Sequence, residues 1–364
     1  MAEFVLDDEQ KQIQEMMRKF SSEELRKIAR DCDDAGTLPE AVLAKVWELG
    51  MAAQAIPEEY GGYGLGRTSI SGSIVGEELA WGDLSLAIGA LAPMSALVPI
   101  LEFGSDAQKQ GWLPNFCEDS FYAATAALME PRVGFDPHKL ATTATVSGDS
   151  ATLNGEKCMV ALADRAEIIV VYASTDDGTQ AFVVEKSTPG MTIGEREEYM
   201  GLRSAPLYRV TFQDCVVPLA NRLGENGAID YARLLNQARA TLCAMAVGVA
   251  RASWEYALTY AKERHAFGEP IASRQSIAFM LAEMAMELDA MRLLAWRAAW
   301  RADRADDATR DAALAKHYCS EKCMAVVDYG VQILGGHGYI REHPVELWFR
   351  NGRAFATIEG ICVL

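Results

Sequence analysis

The spacing of apolar residues divides the chain into three regions, and the first, residues 1–120, has the pattern of packed helices. In DDEQKQIQEMMRKFSSEELRKIAR and PEAVLAKVWELGM, apolar residues recur at intervals of three and four, which is the period of an amphipathic helix. The stretch PEEYGGYGLG, residues 57–66, interrupts this pattern and is typical of a loop between helices. We therefore predict an α-helical N-terminal domain.

The second region, residues 121–220, consists of short β-rich runs. EIIVVYAST, AFVVEKST and YRVTFQDCVV are separated by turn sequences such as DDG and TPG. No run long enough for a helix lies between them, so a parallel sheet built from strand–helix–strand units is not expected. We predict a small antiparallel β-domain, either a barrel or a sandwich.

The third region, residues 221–364, returns to helical periodicity over longer segments. Long helices are indicated by IDYARLLNQARATLCAMAVGVARASWEYALTYAKER, RQSIAFMLAEMAMELDAMRLLAWRAAWRADRA and DAALAKHYCSEKCMAVVDYGVQIL. Long amphipathic helices joined by short loops predict a helical bundle. The fold class predicted for the whole chain is α+β, with domains at 1–120, 121–220 and 221–364.

One uncharged run, LSLAIGALAPMSALVPIL at residues 84–101, just reaches the length of a membrane-spanning helix. Pro93 and Pro99 interrupt it, and Asp83 and Glu102 flank it closely. We interpret the run as a buried helix that forms the wall of an apolar pocket, and we expect no membrane association.

The acidic composition limits the choice of partners. The formal net charge of −17 gives no basic face for a phosphate backbone, so a nucleic-acid partner is not expected. A small polyanionic ligand stays possible, because a few well-placed arginines can hold phosphates inside an acidic protein.

The cysteines and the N-terminus favour a reducing cytoplasm. None of the eight cysteines forms a CxxC pair. Cys319 and Cys323 share a helical spacing near His317, but buried thiols are the better interpretation than a metal site, which would need further ligands. The N-terminal segment MAEFVLDDEQKQIQEMMRKF is charged throughout, unlike a signal peptide.

The last residues, RAFATIEGICVL, place a single carboxylate in an apolar segment. After Arg353 the only charged side chain is Glu359. Such a carboxylate is costly to bury unless it is paired, solvated or protonated, and desolvation is also a way to tune a general base. The alternative is a frayed terminus in which Glu359 lies in water. The local pattern does not decide between them.

Two further segments carry more than a core pattern: ERHAFGEPIASRQ at 263–275 and QILGGHGYIREHPVELWFRNGR at 332–353. A glycine-rich break before a helix lets backbone N–H groups approach a phosphate closely. Neither segment is a nucleotide-binding motif of the GxGxxG or Walker type. Taken alone, each is more consistent with a structural turn.

Taken together, these motifs resemble the acyl-CoA dehydrogenase family. The resemblance runs nearly end to end, through LGMAAQAIPEEYGGYGLG, MEP, LNGEK, MGLR, RHAFGEPIASRQ, QILGGHGY and the final IEG, in the order that the family shows. It implies a helical N-domain, a β-domain and a C-terminal four-helix bundle, with FAD between the last two. It also implies an acyl-CoA or acyl-carrier thioester as substrate, a homodimer or homotetramer, and an electron-transfer flavoprotein as acceptor.

The resemblance also assigns roles to individual residues. Glu359 falls on the family's catalytic base, and its backbone N–H would help to bind the thioester carbonyl. Substrate contacts fall on Phe135, Asn236, Arg239 and Gly360. Contacts with FAD fall on Leu128, Met129, Met159, Val160, Ala161, Arg264, Phe267, Arg274, Gln275, Gln332, Leu334, Gly335, Gly336 and Ile361.

Several of these positions depart from the family pattern. Threonine is usual at Met129, Ala161 and Ile361, tryptophan at Met159, and serine at Phe135; polar residues are usual at Ala205 and Leu207, and aspartate is common at Asn236. Each lost hydroxyl removes a hydrogen bond worth roughly 1 kcal/mol, so several losses around one ring would weaken FAD binding by orders of magnitude.

Three interpretations follow from these departures. The first is an active dehydrogenase in which packing replaces polar contacts with the flavin. The second is a half-active or structural subunit of a hetero-oligomer. The third is an acyl-thioester enzyme in which Glu359 transfers a proton without net oxidation.

Overall fold

The N-terminal domain of the computed structural model, which describes residues 5–304 and 306–360, is helical as predicted. Asp7 caps the first helix in a reciprocal pair of hydrogen bonds with Gln10, and a π-helical turn, Ser21–Leu25, follows that helix. The helices are α1 (Asp8–Phe20), α2 (Ala29–Ala35), α3 (Glu40–Trp47), α4 (Met51–Ala55), α5 (Ser69–Gly82), α6 (Leu84–Phe103) and α7 (Asp106–Trp112).

Helix α6 is the buried helix that the sequence predicts. The helix is long and apolar enough to cross a membrane. However, 94% of its most apolar stretch is buried inside the fold, as in the core helix of a globular protein. Pro93 and Pro99 lie within the helix and do not interrupt it, so the expectation that they break the run is wrong. Asp83 caps the helix by accepting a hydrogen bond from the N–H of Leu86.

The middle domain is a single curled sheet. Six strands lie in the order β1-β4-β2-β3-β7-β6. The seventh strand, β5, pairs with β4 outside this order. The pairs β1–β4 and β2–β4 are parallel and the others are antiparallel, so the prediction of a purely antiparallel domain needs correction. The strands are β1 (Ala124–Ala127), β2 (Thr143–Ser147), β3 (Ser150–Ala161), β4 (Ile168–Thr175), β5 (Gly178–Glu185), β6 (Met191–Arg196) and β7 (Leu207–Pro218).

The parallel pairings arise without crossover helices. Strand β1 comes directly from the helical domain, and the long loop after it allows β4 to lie beside both β1 and β2. A sequence without strand–helix–strand units can therefore still contain parallel pairs when one strand enters the sheet from another domain.

The C-terminal domain is the predicted helical bundle. Helices α9 and α10 pack on α8 and on each other, and α12 packs against α8 and α10. The elements are α8 (Tyr231–Glu263), the short hairpin β8 (His265–Ala266) and β9 (Glu269–Pro270), α9 (Gln275–Asp303), α10 (Thr309–Leu334), α11 (Gly336–Tyr339) and α12 (Val345–Gly352).

A buried carboxylate ties the end of the bundle to the N-terminal domain. Asp33 on α2 accepts two hydrogen bonds from Arg350 on α12, at 2.9 and 2.6 Å, and a third from Arg341 at 3.0 Å. The adjacent Asn351 accepts a hydrogen bond from the N–H of Leu202 at 2.8 Å. Helix α12 is thus fixed to both other domains, just before the segment that ends in Glu359.

Candidate active site

Glu359 is paired, which answers the question raised by its apolar setting. It follows α12 and a 3-10 turn, Arg353–Ala356, and its side chain is only 13% exposed. Arg239, on the inner face of α8, donates from Nε to both carboxylate oxygens at 3.1 and 3.2 Å and from Nη2 to Oε2 at 2.9 Å. The carboxylate is neither alone nor in bulk water, and the guanidinium is its counterion.

The backbone of Glu359 meets the loop that follows β1. Its N–H donates to Sδ of Met129 at 3.2 Å. The resemblance assigns this N–H to the substrate carbonyl, whereas here it meets a thioether, which is only a weak acceptor. Gly360 has φ +60° and a Cβ at that position would lie 2.3 Å from Cδ2 of Leu128, so a larger residue there would have a strained backbone and would displace the side chain of Leu128.

Two polar side chains near this pair were not singled out by the sequence analysis. Lys316 on α10 donates to the carbonyl of Phe355 at 2.7 Å. Tyr231, at the start of α8, donates to the carbonyl of Pro137 at 2.7 Å, and burial raises the pKa of this phenol, with Tyr172 and Glu359 adding to the effect. Both lie in helices whose apolar pattern was assigned to the core.

The residues assigned to the flavin ring form a buried apolar surface. Leu128, Met129, Met159, Val160 and Ala161 are each at most 9% exposed. None of these side chains carries a hydroxyl or an amide. The potential hydrogen-bond groups at this surface are therefore those of the backbone.

Several of those backbone groups are already engaged, among them the carbonyls of Leu128 and Met129. The N–H of Met159, which has φ +53°, donates to Oε2 of Glu197 at 3.1 Å. Tyr199 and Arg209 hold the same carboxylate at 2.6 and 2.9 Å, and with Met159 they depress its pKa against the opposing effect of burial. A side chain absent from the predicted site thus fixes its backbone.

The residues assigned to the FAD diphosphate lie on an open surface. Phe267 is 94% exposed with φ +57°, and the guanidinium of Arg274 lies 5.7 Å from its ring. Arg264 and Gln275 are exposed at the ends of α8 and α9. Two guanidinium groups and an unstacked aromatic ring are suited to a diphosphate and an adenine.

The glycine-rich segment lies near this surface. Gln332, Gly335 and Gly336 are exposed while Leu334 is buried, and a Cβ at either glycine would meet nothing within 4 Å. The rings of Tyr260, close to Arg264, and His337 are 6.3 Å apart, which links the two segments. Their exposed backbone is available to a ligand.

The other assigned positions are dispersed. Phe135 is partly buried with the guanidinium of Arg132 6.0 Å from its ring. Asn236 is buried and donates to Oγ1 of Thr309 at 3.1 Å, so it faces the start of α10 and not Glu359. Ile361 lies outside the described residues.

Comparison with known families finds a match for each of the three domains. Three domain descriptions match in order: "Acyl-CoA dehydrogenase, N-terminal domain" at residues 7–120, the middle domain at 125–215 and the C-terminal domain at 226–361. Their borders coincide closely with the helical, β and helical parts of the fold.

Individual proteins show the same similarity. The short-chain specific acyl-CoA dehydrogenase of rat mitochondria is 38% identical, over 98% of this chain and 87% of that protein. The structure of butyryl-CoA dehydrogenase from Megasphaera elsdenii superposes with a TM-score of 0.88 at 34% identity, over 97% of this chain and 95% of that one. The FAD complex of PigA superposes with a TM-score of 0.88 at 27% identity, over 97% and 94%.

Proposed function

Since the chain belongs to the acyl-CoA dehydrogenase family, we propose that it dehydrogenates an acyl thioester between its α and β carbons with FAD as cofactor. The observation that carries this proposal is the Glu359 carboxylate, which Arg239 binds in a sheltered position beside the loop after β1. The substrate is an acyl-CoA or the corresponding acyl-carrier thioester.

Glu359 is the base in this reaction. The hydrogen on the carbon next to a thioester is a weak acid, so its removal needs an oriented carboxylate and a polarised carbonyl. Arg239 fixes the orientation with three hydrogen bonds. The N–H of Glu359 supplies polarisation once the substrate oxygen replaces Sδ of Met129, because a thioester carbonyl is the stronger acceptor.

The residues present fit FAD unequally at its two ends. FAD, when bound, accepts the hydride from the β carbon. Arg264, Arg274, Gln275 and the exposed Phe267 would hold the adenosine diphosphate. The buried apolar surface around Met129 would hold the flavin ring by packing and backbone contacts alone, which predicts weaker ring binding than in relatives with hydroxyl groups there.

This unequal fit favours one second function. This chain has a surface for the FAD diphosphate, but its surface for the flavin ring is buried and apolar. That combination is expected of a half-active subunit in a hetero-oligomer. In such an assembly, its Arg264 and Gln275 would contact the FAD of a neighbouring subunit. The spectrum of the purified chain separates this function from the first.

We further propose a homodimer or homotetramer. Exposed apolar residues recur every second turn along one face of α9, at Phe279 (58%), Met286 (65%) and Leu293 (49%). Such a stripe is characteristic of a subunit interface. By analogy with the family, an electron-transfer flavoprotein would reoxidise the flavin. The described cysteines are all free, in keeping with the cytoplasmic location that we propose.

The test is the visible spectrum of the purified chain. We expect a yellow protein whose flavin absorption bleaches when a short acyl-CoA is added without oxygen. A colourless protein that acquires flavin only with a co-expressed relative would replace the proposed function with the second one. A yellow protein that no acyl-CoA or acyl-carrier thioester bleaches would overturn dehydrogenation.

A further inference from the structure

Behind the Glu359–Arg239 pair lies a lysine with no part in the proposed chemistry. The ammonium of Lys316 on α10 donates to the carbonyl of Phe355 at 2.7 Å. The hydroxyl of Ser320 lies 2.8 Å from the same oxygen and 2.7 Å from the carbonyl of Lys316, and its one hydrogen can serve either. Phe355 belongs to the 3-10 turn shortly before Glu359. Within that turn region, the N–H groups of Thr357 and Ile358 both bond to Ala354, which leaves the carbonyl of Phe355 directed at α10.

The charge of Lys316 also interacts with that of the base, Glu359. Together with Arg239 it lines a cavity of about 610 Å³, whose other charged or titratable side chains are His317, Glu321 and Arg353. Burial lowers the pKa of Lys316, and Glu359 is the strongest of the charges that oppose this shift. The remaining groups that face it are Arg239, which is cationic, and the thiols of Cys243 and Cys319.

Placing an ammonium in this position costs free energy of hydration. A partly buried ammonium loses hydration that one carbonyl and a distant hydroxyl, 3.4 Å away, do not fully replace. The structure contains a neutral alternative in Ser320, which makes the same hydrogen bond to Phe355 without a charge. A tether alone therefore does not require a lysine here.

We propose that Lys316 is a positioning residue for Glu359, which fixes the turn that carries the carboxylate and supplies a second cation beside the Glu359–Arg239 pair. This inference rests on the proposed function of Glu359 as base. The tether holds the carboxylate where the substrate's α carbon arrives, and the cation adds to the positive charge of Arg239 beside it.

The first measurement is exchange of the substrate's α protons with D₂O, followed by NMR on the FAD-loaded protein under anaerobic conditions with butyryl-CoA. We expect Lys316→Met to slow exchange roughly tenfold to hundredfold, since it removes a nearby cation and a tether. The concentration of butyryl-CoA for half-saturation should change less than about twofold, because the ammonium bonds to the turn and not to a position assigned to the substrate.

Two matched variants separate charge from tether. Lys316→Arg keeps the charge and should retain exchange within about threefold of the parent. Ser320→Ala removes one polar contact with Phe355 and keeps the cation, so it should slow exchange much less than Lys316→Met does. If Ser320→Ala and Lys316→Met show the same loss, the cation has no role and the proposal is overturned.

A second measurement does not depend on chemistry. Deuterium uptake by the backbone of residues 353–360, followed by mass spectrometry, should rise in Lys316→Met and in the milder Lys316→Gln. Unchanged uptake in both variants would overturn the inference, whatever the exchange rates are. By contrast, if the parent protein exchanges no α proton, Glu359 is not the base. The contact between Lys316 and the turn is then tested by deuterium uptake alone.

Discussion

Arg239 and Glu359, which lie far apart in the sequence, are joined by three hydrogen bonds. Nε of the guanidinium donates to both carboxylate oxygens, and Nη2 lies 2.9 Å from Oε2. Both side chains are largely buried, with 11% and 13% exposure. A pair of this kind is stronger than a surface ion pair, because water competes less and the fork geometry fixes the carboxylate. The first two predictions concern this contact.

Replacing Glu359 by glutamine should abolish proton abstraction while preserving the fold. The amide can still accept from Arg239 but cannot take a proton, so we expect α-proton exchange and flavin bleaching to fall by about 10²–10⁴-fold. The measurement is anaerobic bleaching by butyryl-CoA, with the bound flavin counted from the spectrum. Bleaching at the parent rate in Glu359→Gln would remove this residue from the mechanism.

Replacing Arg239 by lysine should impair the orientation of the base without removing the charge. An ammonium cannot span both carboxylate oxygens as the guanidinium does, so we expect at least a tenfold loss in α-proton exchange. Arg239→Gln should lose more, because Glu359 then has no direct cationic partner. Equal rates in the parent and both variants would show that the pair is only structural.

Introducing threonine at Met129 should strengthen flavin binding. The restored hydroxyl provides one hydrogen bond at a buried apolar surface, which is worth about 1 kcal/mol, or roughly fivefold in the dissociation constant of FAD. Equilibrium titration of the flavin-free protein measures this directly. As a control, Met16→Thr on the exposed side of α1 should have no effect. Unchanged binding in Met129→Thr would mean that the ring does not contact this position, and weaker binding would mean that the packing of Met129 outweighs the restored hydrogen bond.

Asp83 should make stability depend on pH in an unusual direction. Burial raises the pKa of this carboxyl from 3.8 to about 6, and its Oδ2 has no hydrogen-bond partner. The folded state therefore binds this proton more tightly than the unfolded state. The resulting stabilisation is fully present below about pH 3.8 and is lost as the pH rises through about 6.

The test of this relation is Asp83→Asn, because asparagine caps a helix as well as aspartate but carries no charge. We expect the variant to be more stable than the parent at pH 7 by about 1–3 kcal/mol in urea unfolding, with a much smaller difference near pH 4. Asp7→Asn, at the exposed cap of α1, is the matched control and should change little at either pH. A variant that is less stable at pH 7 would contradict the shifted pKa.

Asp33 should be far more important for stability than its neighbour Asp34. Asp33 is buried and accepts from Arg350 and Arg341, whereas Asp34 is half exposed and contacts Arg341 only. We expect Asp33→Asn to reduce the free energy of unfolding by about 2–4 kcal/mol, since it removes a buried charge and leaves the largely buried Arg350 with Glu346 as its remaining counterion. Asp34→Asn should change it by less than about 0.5 kcal/mol. Similar losses in the two variants would show that burial of Asp33 is not decisive.

The helices were the most predictable part of the fold. The long segments that became α8, α9 and α10 have a continuous helical period, and local sequence therefore determines them. The parallel pairing of β1 with β4 could not be predicted, because strand order depends on where β1 enters from the helical domain. The continuity of α6 through Pro93 and Pro99 was missed because tertiary packing outweighs the local preference of proline.

The candidate site was predictable only where a motif marked it. Glu359 was suggested by its isolated charge, but its contact with Arg239 was not predicted, since nothing local links the two positions and the resemblance gave Arg239 only a substrate contact. Lys316 gave a weak signal that was overlooked: it lies among Ala312, Ala315 and Cys319, which form the buried stripe of α10. Glu197 gave no signal, because a carboxylate near a turn is ordinary on a surface.

The burial of α6 has a consequence for biosynthesis. The helix leaves the ribosome before β1 and well before α8, and both of these elements contact it in the finished fold. Until they emerge, the nascent chain exposes a segment as apolar as a membrane anchor. Its yield in cells should therefore depend on chaperones that shield this segment during translation, more than on the stability of the completed protein.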